Sequence, residues 1–390
     1  MNSRPYAAGT VPAALPCSRR GTDLEIADLE PVAGSLGAWG WDPSWAAAFD
    51  AFVGSNGDGR WAARVVAQHR GTWLLAAELG ERSASLTGRF RHEARDGQLA
   101  AVGDWVACVR SPHDGEARID GVLPRRSAFL RRAAGSRVGA QIVAANVDTL
   151  FVATSLNGDL NPRRLERYVA MGRESGAAPV VLLTKADLIP DAEEVVARLE
   201  RELRVAVVAS SARSGQGVDS IAGWLSPGRT VALVGSSGVG KSTLLNRLAG
   251  QQLMATREIR EDDARGRHTT THRELFRLPG GALMLDTPGM RELGLWGADE
   301  GVAETFTEIV ELAARCRFHD CTHRTEPGCA IEAAVREGWL DRGRVRSYRR
   351  LAREVADQPT PLQRREEERR FLKSVRNASA DSLARKTYRW

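Results

Sequence analysis

The chain has 390 residues and a formal net charge of +6, with 43% hydrophobic and 27% charged residues. This composition is typical of a folded globular protein, and the length predicts two or three domains rather than a single core. No apolar run approaches the roughly 18 residues of a membrane-spanning helix, and the first residues lack the apolar stretch of a signal peptide. We therefore expect a cytoplasmic protein with no membrane partner.

Residues 1–55 are rich in alanine, glycine and proline, and they predict an N-terminal extension that is partly disordered. Within this extension, Pro43–Val53 is predicted to form a short helix. The tryptophans Trp39, Trp41 and Trp45 are expected to cover a neighbouring domain rather than to bind a ligand.

The second predicted domain, residues 56–140, consists of short β-forming runs separated by turn-forming sequences. The predicted strands are Trp61–Gln68, Thr72–Glu78, Ala84–Phe90, Asp104–Val109 and Ala117–Val122. Five short strands favour a small OB-type β-barrel, a shape that often binds RNA. The candidate RNA contacts are Arg89, Arg91, His92, Arg125 and Arg126. The alternative is a barrel that serves only as a spacer.

The third predicted domain, residues 141–298, alternates buried strands with helices. The strands are Thr149–Ala153, Pro179–Thr184 and Val205–Ser210, and the helices are Arg163–Ser175 and Ala192–Glu202. This alternation predicts an α/β domain with a parallel sheet covered on both faces. Binding loops in such sheets lie at the carboxyl ends of the strands.

The sequence Gly-Ser-Ser-Gly-Val-Gly-Lys-Ser at 235–242 follows the apolar run Thr230–Val234 and precedes a helical pattern. A strand, a glycine loop and a helix in this order predict a phosphate-binding P-loop. Glycines let successive backbone N–H groups surround phosphate oxygens beside the positive end of the helix dipole. Lys241 is predicted to reach the β- and γ-phosphates in catalysis, and Ser242 to hold Mg²⁺. The predicted nucleotide contacts of this segment are Gly235, Ser236, Ser237, Gly238, Val239, Gly240, Lys241, Ser242 and Thr243.

Two other strand ends predict which base the site reads. Asp187, in the sequence Thr184-Lys-Ala-Asp187, can accept hydrogen bonds from the N1–H and exocyclic amine of guanine, while the stem of Lys185 lies along the ring. At Ser211-Ala212, after the next strand, a backbone amide can meet the guanine O6. Together these features favour guanine over adenine, and a P-loop ATPase or nucleotide kinase is the alternative.

Two later segments have the character of a nucleotide switch. Arg265–Thr271 is a polar loop that can close over a γ-phosphate, with Thr270, or alternatively Thr271, completing the Mg²⁺ shell. The strand Ala282–Leu285 then leads into Asp286-Thr-Pro-Gly289. Asp286 is predicted to hold Mg²⁺ through water, and Gly289 to offer its N–H to the γ-phosphate.

The last predicted domain, residues 299–390, begins with an amphipathic helix at Val302–Ala314. Crowded cysteines follow, which in a reducing compartment indicate metal rather than disulfides. Three thiolates and one imidazole complete a tetrahedral Zn²⁺ shell with no open position, so the expected site is a single structural one. Its predicted ligands are Cys316, Cys321, His323 and Cys329, with His319 as the alternative histidine.

The end of the chain is strongly basic. From Arg342 to Trp390 there are 15 Lys and Arg residues against 6 Asp and Glu, whereas the rest of the chain is nearly neutral. Helices are predicted at Ala330–Glu337, Arg342–Ala356 and Arg364–Arg376. This excess of one sign favours contact with a polyanion, most simply RNA, over an ordinary solvated helix surface.

The order of these motifs resembles the circularly permuted translational GTPases, and most closely the ribosome small-subunit-dependent GTPase A family. In ordinary GTPases the phosphate loop precedes the base-reading motif, whereas here Thr184–Asp187 comes before Gly235–Ser242. The resemblance covers about residues 60–350. It implies a circularly permuted P-loop GTPase domain with an N-terminal OB-type barrel and a C-terminal zinc-binding helical domain, in which His323 rather than His319 is the ligand.

We expect a monomer. The resemblance also implies a protein that binds the small ribosomal subunit and its rRNA, and that hydrolyses GTP to GDP and phosphate during late subunit maturation. Two residues depart from common GTPases. Thr184 stands where many have asparagine, which predicts a looser brace on the P-loop. Met290 replaces the glutamine that orients water, so His268 is the candidate for this role, or alternatively a contact to rRNA. Met290 also leaves open an RNA-binding scaffold that uses nucleotide as a structural ligand.

Overall fold

The structure, a computed structural model, describes residues 36–69, 71–94, 98–110, 116–132, 140–250, 273–286 and 298–358. Several predictions fall outside these residues. They concern the first 35 residues, the loop Arg265–Thr271 with His268 and Thr270, the residues Gly289 and Met290, and the helix Arg364–Arg376.

The N-terminal extension packs on the barrel through its tryptophans. A short 3₁₀ turn at Leu36–Trp39 precedes helix α1, Pro43–Asn56. Asp42 caps α1 by accepting hydrogen bonds from the backbone N–H groups of Ser44 and Trp45, at 2.9 and 3.1 Å. Trp45 is buried, and the ring of Trp41 meets that of Trp105 edge-on at a centroid distance of 4.7 Å. The tryptophans therefore cover the neighbouring domain, as predicted.

Five strands form a closed barrel. They are β1 (Trp61–His69), β2 (Thr72–Ala77), β3 (Gly80–Leu86), β4 (Trp105–Arg110) and β5 (Ala117–Val122). The strand order is β1-β2-β3-β5-β4, and β4 pairs back onto β1. Val65, Leu75, Trp105 and Ile119 are among the buried side chains that form its interior.

The third predicted strand was wrong in its second half. The strand ends at Leu86, and Gly88–Glu93 forms helix α2. The hydroxyl of Thr87 accepts a hydrogen bond from the N–H of Phe90 at 3.1 Å, which is a helix N-cap. This local capping prevails over the β-propensity of the residues that follow.

An antiparallel pair that the sequence analysis did not predict links the barrel to the parallel sheet. It consists of β6 (Ala128–Arg132) and β7 (Ala140–Ala145). Arg64 of β1 crosses the same junction, and its guanidinium donates to the hydroxyl of Thr230 at 2.8 Å and to the carbonyl of Trp39. Burial lowers the pKa of Arg64 to about 10. Three parts of the chain therefore meet at one arginine.

Among the described residues, the α/β domain has six strands in the order β10-β9-β8-β11-β13-β12. They are β8 (Thr149–Ser155), β9 (Ala178–Thr184), β10 (Val207–Ala209), β11 (Thr230–Gly235), β12 (Arg273–Arg277) and β13 (Leu283–Asp286). The first five strands of this order are parallel, and β12 is antiparallel. The helices are α3 (Pro162–Ser175), α4 (Ala192–Leu203), α5 (Val218–Ile221) and α6 (Lys241–Leu248). On its other edge β12 pairs with β1, so the barrel and the parallel sheet are hydrogen-bonded into one continuous sheet.

Four helices form the described part of the C-terminal domain, residues 298–358: α7 (Asp299–Thr305), α8 (Thr307–Ala313), α9 (Ala330–Arg336) and α10 (Arg342–Ala356). The single helix predicted at Val302–Ala314 is thus two helices. The chain breaks at Phe306, whose fully buried ring packs against Tyr348 of α10 at a centroid distance of 5.6 Å. Tertiary packing of this one ring interrupts a continuous helical pattern.

Candidate nucleotide site and metal centre

The parallel register aligns the carboxyl ends of the strands along one edge of the sheet. Gly235 of β11 lies opposite Ala153 of β8, and Ser155 of β8 lies opposite Thr184 of β9. The loops that follow β9, β10 and β11 consequently share this edge. Three of the predicted motifs, Thr184–Asp187, Ser211-Ala212 and Gly235–Ser242, are therefore brought to the same edge. The backbone of Asp286 ends the neighbouring strand β13.

The P-loop has a backbone that only glycine adopts easily. Gly235, Gly238 and Gly240 have φ values of +147°, +77° and +96°. A Cβ atom on Gly235 would lie 2.2 Å from the carbonyl oxygen of Ala153, which belongs to the adjacent strand and cannot move aside. The loop therefore follows closely on β11 and turns within a few residues into α6.

The start of α6 is open to an anion. No side chain of the described residues caps its first turn at Gly240. Its first N–H groups are consequently available for phosphate oxygens, beside the positive end of the helix dipole. The ammonium group of Lys241 donates to the carbonyls of Gly235 and Ser236, at 2.9 and 2.5 Å, which holds the cation over the loop.

Thr184 contacts the P-loop directly. Its hydroxyl, on a side chain that is nearly fully buried, lies within hydrogen-bond distance of the carbonyl of Val239 in the loop and, at 3.2 Å, of the carbonyl of Thr154. A threonine hydroxyl has one proton, so it can donate to one of these oxygens at a time. Thr184 thus reaches the loop although it has fewer polar atoms than asparagine.

The predicted base-reading loops are tied together by their backbones. Lys185 has a left-handed backbone with φ of +58°, after which Asp187 is exposed in a 3₁₀ turn, Ala186–Leu188. The N–H of Ala186 donates to the carbonyl of Ser210 at 3.1 Å.

The structure distinguishes between the two residues of the second loop. The N–H of Ser211 already donates to the carbonyl of Gln216 at 2.8 Å. Ala212 remains the residue of this pair whose backbone N–H has no partner within the described part of the chain. Of the two predicted amides, the one that is unpaired within the described residues is thus that of Ala212.

The predicted metal ligands lie in one cluster. The ligand atoms of Cys316, Cys321, His323 and Cys329 are all within 4.8 Å of one another. Cys316 Sγ lies 3.5 Å from His323 Nδ1 and 3.9 Å from Cys329 Sγ, which is also 3.9 Å from His323 Nδ1. Metal bonds of about 2.3 Å to sulfur and about 2.0–2.1 Å to nitrogen give tetrahedral edges of roughly 3.5–3.8 Å. The cluster fits a tetrahedral Zn²⁺ ion, and it contains His323 and not His319.

Glu326 organises the loop that carries His323, and the sequence analysis missed it. Its carboxylate accepts hydrogen bonds from the backbone N–H groups of Thr322, Arg324 and Thr325, at 2.9, 2.8 and 3.0 Å. It also accepts the hydroxyl of Thr322. This hydroxyl, together with the backbone donors, holds the pKa of Glu326 well below its usual range. A carboxylate four residues after a threonine, just before Pro327-Gly328, was the available sequence signal.

A buried ion-pair network joins the C-terminal domain to α3. Arg344 of α10 donates to Glu308 at 2.5 Å, to Glu166 of α3 at 3.1 Å and to the carbonyl of Thr305 at 2.8 Å. Burial raises the pKa of Glu166. Gly301 of α7 lies so close to α3 that a Cβ there would be 2.2 Å from the carbonyl of Ala170. The nucleotide domain and the cysteine-bearing domain therefore have an extensive, specific junction.

Three of the five barrel residues proposed for RNA form ion pairs within the protein. Arg125 holds Asp104 with two contacts of 2.7 Å, and Arg89 contacts Asp120 at 3.0 Å. Arg126 contacts Asp42 at 2.7 Å, and its guanidinium lies 4.2 Å from the ring centroid of Trp45. The other two candidates, Arg91 and His92, are exposed on α2.

Comparisons with known proteins agree with this arrangement. The family model described as RsgA GTPase matches residues 122–296. "Small ribosomal subunit biogenesis GTPase RsgA" from Opitutus terrae is 51% identical over 333 residues, which are 83% of this chain and 90% of that protein. The chain belongs to the RsgA GTPase family. A second RsgA protein, from Lactiplantibacillus plantarum, is 48% identical over 297 residues, which are 76% of this chain and 83% of the relative.

Solved structures support the same fold. YjeQ from Thermotoga maritima aligns with a TM-score of 0.56 at 24% identity, covering 76% of this chain and 99% of that one. YloQ, described as a circularly permuted GTPase, aligns with a TM-score of 0.53 at 23% identity, covering 77% and 96%. The predicted family and fold class, a circularly permuted GTPase domain between an N-terminal barrel and a C-terminal Cys₃His domain, are thus confirmed.

No helix in the described ranges is both long and apolar enough to span a membrane.

Proposed function

We propose that this RsgA-family chain binds GTP at the sheet edge, hydrolyses it to GDP and phosphate, and acts in the late maturation of the small ribosomal subunit. The observation that carries this proposal is the 51% identity to a relative named as a small ribosomal subunit biogenesis GTPase. The P-loop geometry supports it, because the strained glycine backbone and the uncapped start of α6 form an anion site. A cytoplasmic monomer that contacts rRNA is part of the same proposal.

In this proposal the P-loop, Gly235–Thr243, surrounds the phosphates, and Lys241 moves from the loop carbonyls to the β- and γ-phosphates. Ser242, Thr270 and Asp286 would hold Mg²⁺, which when bound supplies positive charge against the phosphates. Gly289 offers its N–H to the γ-phosphate. Hydrolysis would depend chiefly on positioning and charge stabilisation.

The base would be read by the loops after β9 and β10. Asp187 accepts the N1–H and amine of guanine, Lys185 lies along the ring, and Ala212 offers its N–H to O6. Thr184 and Ser211 lie next to these residues in the same loops and support their contacts. His268 positions the attacking water when the subunit is bound, because Met290 has no group that can do so.

The Cys₃His cluster would hold one structural Zn²⁺ ion through Cys316, Cys321, His323 and Cys329. The donor set supports this, since three thiolates and one imidazole leave no position for a reacting water. When bound, the ion would cross-link the loop between α8 and α9. Glu326 keeps the His323 turn in a conformation that allows this.

The experiment is steady-state hydrolysis of GTP and ATP by the purified protein, with and without small ribosomal subunits. We expect a slow activity specific for GTP that the subunits stimulate strongly. Hydrolysis of ATP at a similar rate would favour an ATPase, and GTP hydrolysis that the subunits do not change would favour a scaffold.

A substitution tests the base-reading assignment within the same assay. Asp187→Asn removes the negative charge and replaces one of the two accepting carboxylate oxygens with an amide donor, so we expect the preference for GTP to fall by about 10- to 100-fold, since a charged hydrogen bond contributes about 1.5–3 kcal/mol. Asp191→Asn, four residues along on the exposed surface, is the matched control and should retain the preference. A wild-type preference in the Asp187 variant would refute this role of the residue.

A further inference from the structure

Helix α10 and the cysteine loop enclose a groove of about 530 Å³ with an unusual charge. Its lining includes five arginines: Arg324 from the cysteine loop, and Arg346, Arg349, Arg350 and Arg353 from α10. The spacing of the α10 arginines places them on one face of the helix, about one turn or ~5.4 Å apart. Guanidinium groups from two separate elements therefore converge on one groove.

These arginines are poorly neutralised by the protein. The guanidinium groups of Arg324, Arg346, Arg350 and Arg353 make no hydrogen bond or ion pair with any residue that the structure describes. Arg349 donates to Glu332 at 3.1 Å, but its Nε is buried without a partner in the described ranges.

The acidic residues of the groove do not offset this charge. Glu354 is already engaged by two contacts to Arg167 of α3, at 2.5 and 2.7 Å. Asp357 is the other acidic residue in the lining. An excess of unpaired cations at short range disfavours the folded state unless an anion binds there.

An arginine on the opposite face of the same helix, Arg344, has a structural role instead. Arg344 is nearly fully buried and meets two carboxylates and a carbonyl, all from its own chain. One face of α10 therefore carries Arg344, whose donors are paired at the domain junction. The opposite face lines the groove, and most of its guanidinium groups have no partner among the described residues.

Within the function proposed above, we infer that this groove binds the phosphate backbone of one RNA strand. A guanidinium presents a planar fork of donors that fits a phosphate, and a row of them fits a row of phosphates better than a single anion. Such contacts fix the position of the protein on RNA without reading its sequence. Glu326 holds the backbone of Arg324, so the cysteine loop supplies a fixed arginine across from the helical row.

The test is a charge reversal that leaves the junction intact. The variant combines Arg346→Glu, Arg350→Glu and Arg353→Glu. The matched control reverses the same number of charges at exposed arginines in and directly after α4, through Arg198→Glu, Arg201→Glu and Arg204→Glu. Binding to purified small ribosomal subunits and to a mixed-sequence single-stranded RNA is measured over a range of salt concentrations.

We expect the groove variant to bind both probes at least 100-fold more weakly at low salt, while the control stays within about threefold of wild type. The slope of log K against log salt should become shallower by about 2–3, because each lost phosphate contact removes about 0.7–0.9. GTP hydrolysis without subunits should not change. This also serves as the test that the groove variant is folded.

Other outcomes overturn the inference. If the groove variant and the control lost affinity equally, the effect would arise from net charge alone and not from the groove. Loss of subunit binding with wild-type affinity for the RNA would indicate an acidic protein surface instead. Wild-type binding of both probes by the groove variant would refute the site, whereas a wild-type protein that ignores subunits but binds RNA through the groove would refute only the proposed function.

Discussion

The P-loop and the cysteine cluster are both tight turns followed by a helix, but different parts of the chain shape them. The P-loop is held by backbone: glycines with positive φ, a strand pressed against Ala153, and a helix start without a side-chain cap. The cysteine cluster is held by side chains: four ligand atoms within 4.8 Å and a carboxylate that collects three N–H groups. The P-loop is thus fixed at the edge of a large sheet, whereas the cysteine cluster is fixed in the loop between the helices α8 and α9.

The difference predicts that the cysteine cluster depends on metal and that the P-loop does not. Removing zinc with a chelator, or Cys329→Ser, should unfold the C-terminal domain, because structural Zn²⁺ contributes about 10–16 kcal/mol of apparent binding free energy that is also folding free energy. GTP affinity should remain within a few-fold of wild type. Metal content, limited proteolysis of α9 and α10, and nucleotide binding measure these effects.

Cys108→Ala is the control for this prediction. Cys108 is buried in the barrel and is not one of the four clustered residues, so its variant should keep its zinc. A Cys329→Ser protein that retains one tightly bound zinc ion and a protease-resistant C-terminal domain would contradict the comparison.

The P-loop should be correspondingly sensitive to one added methyl group. Gly235→Ala places a Cβ 2.2 Å from a backbone oxygen at a φ of +147°, so we expect a loss of at least about 2–3 kcal/mol in stability and more than 100-fold in nucleotide affinity. Thermal unfolding and nucleotide titration measure the two losses. Gly280→Ala, where the added Cβ meets no atom within 4 Å, should behave like wild type. Nucleotide binding by Gly235→Ala at wild-type affinity would show that the loop is not held by its backbone.

The junction between the two regions should depend on Arg344. Arg344→Met leaves the carboxylates of Glu166 and Glu308 without this partner, and breaking such a buried pair costs about 3–5 kcal/mol. The midpoint of thermal unfolding should fall, and protection of α10 amides from hydrogen exchange should decrease. Arg346→Met, on the exposed face of the same helix, should stay within about 0.5 kcal/mol. Equal midpoints for the two variants would show that the network does not stabilise the junction.

The sequence predicted the P-loop, whose shape is set by the backbone, better than it predicted the contacts that individual side chains make. The strand, loop and helix at 230–248 follow from apolar runs and glycine spacing, which are local signals. The cluster ligands were also readable, because cysteines crowd within one short segment. The Thr87 cap and the break at Phe306 were missed, because a cap and a ring contact each override periodicity at one residue.

Long-range pairing was beyond what the sequence could predict. Arg344 and the groove arginines of α10 lie in the same basic stretch of sequence. The charge pattern of this helix therefore predicted a single basic surface that includes all of them. Its partners Glu166 and Glu308 lie on other helices, and only the packing of α3 against α7 and α10 brings them together. For the same reason the sequence did not show that Arg89, Arg125 and Arg126, which were proposed for RNA, pair with carboxylates of the same chain.

The smallest predicted effect lies where a side chain assists the backbone-built region. Thr184→Ala removes the hydroxyl that reaches Val239, so the carbonyl of the loop loses one donor, and we expect about 1 kcal/mol or roughly fivefold weaker GTP binding. Thr184→Ser keeps the hydroxyl and should restore most of the affinity. Isothermal titration with GDP and GTP measures both variants. In this comparison the glycine backbone alone sets the shape of the loop. If Thr184→Ala lost as much GTP affinity as Gly235→Ala, Thr184 would be an essential support of the loop. The P-loop would then depend on a side chain, as the cysteine cluster does.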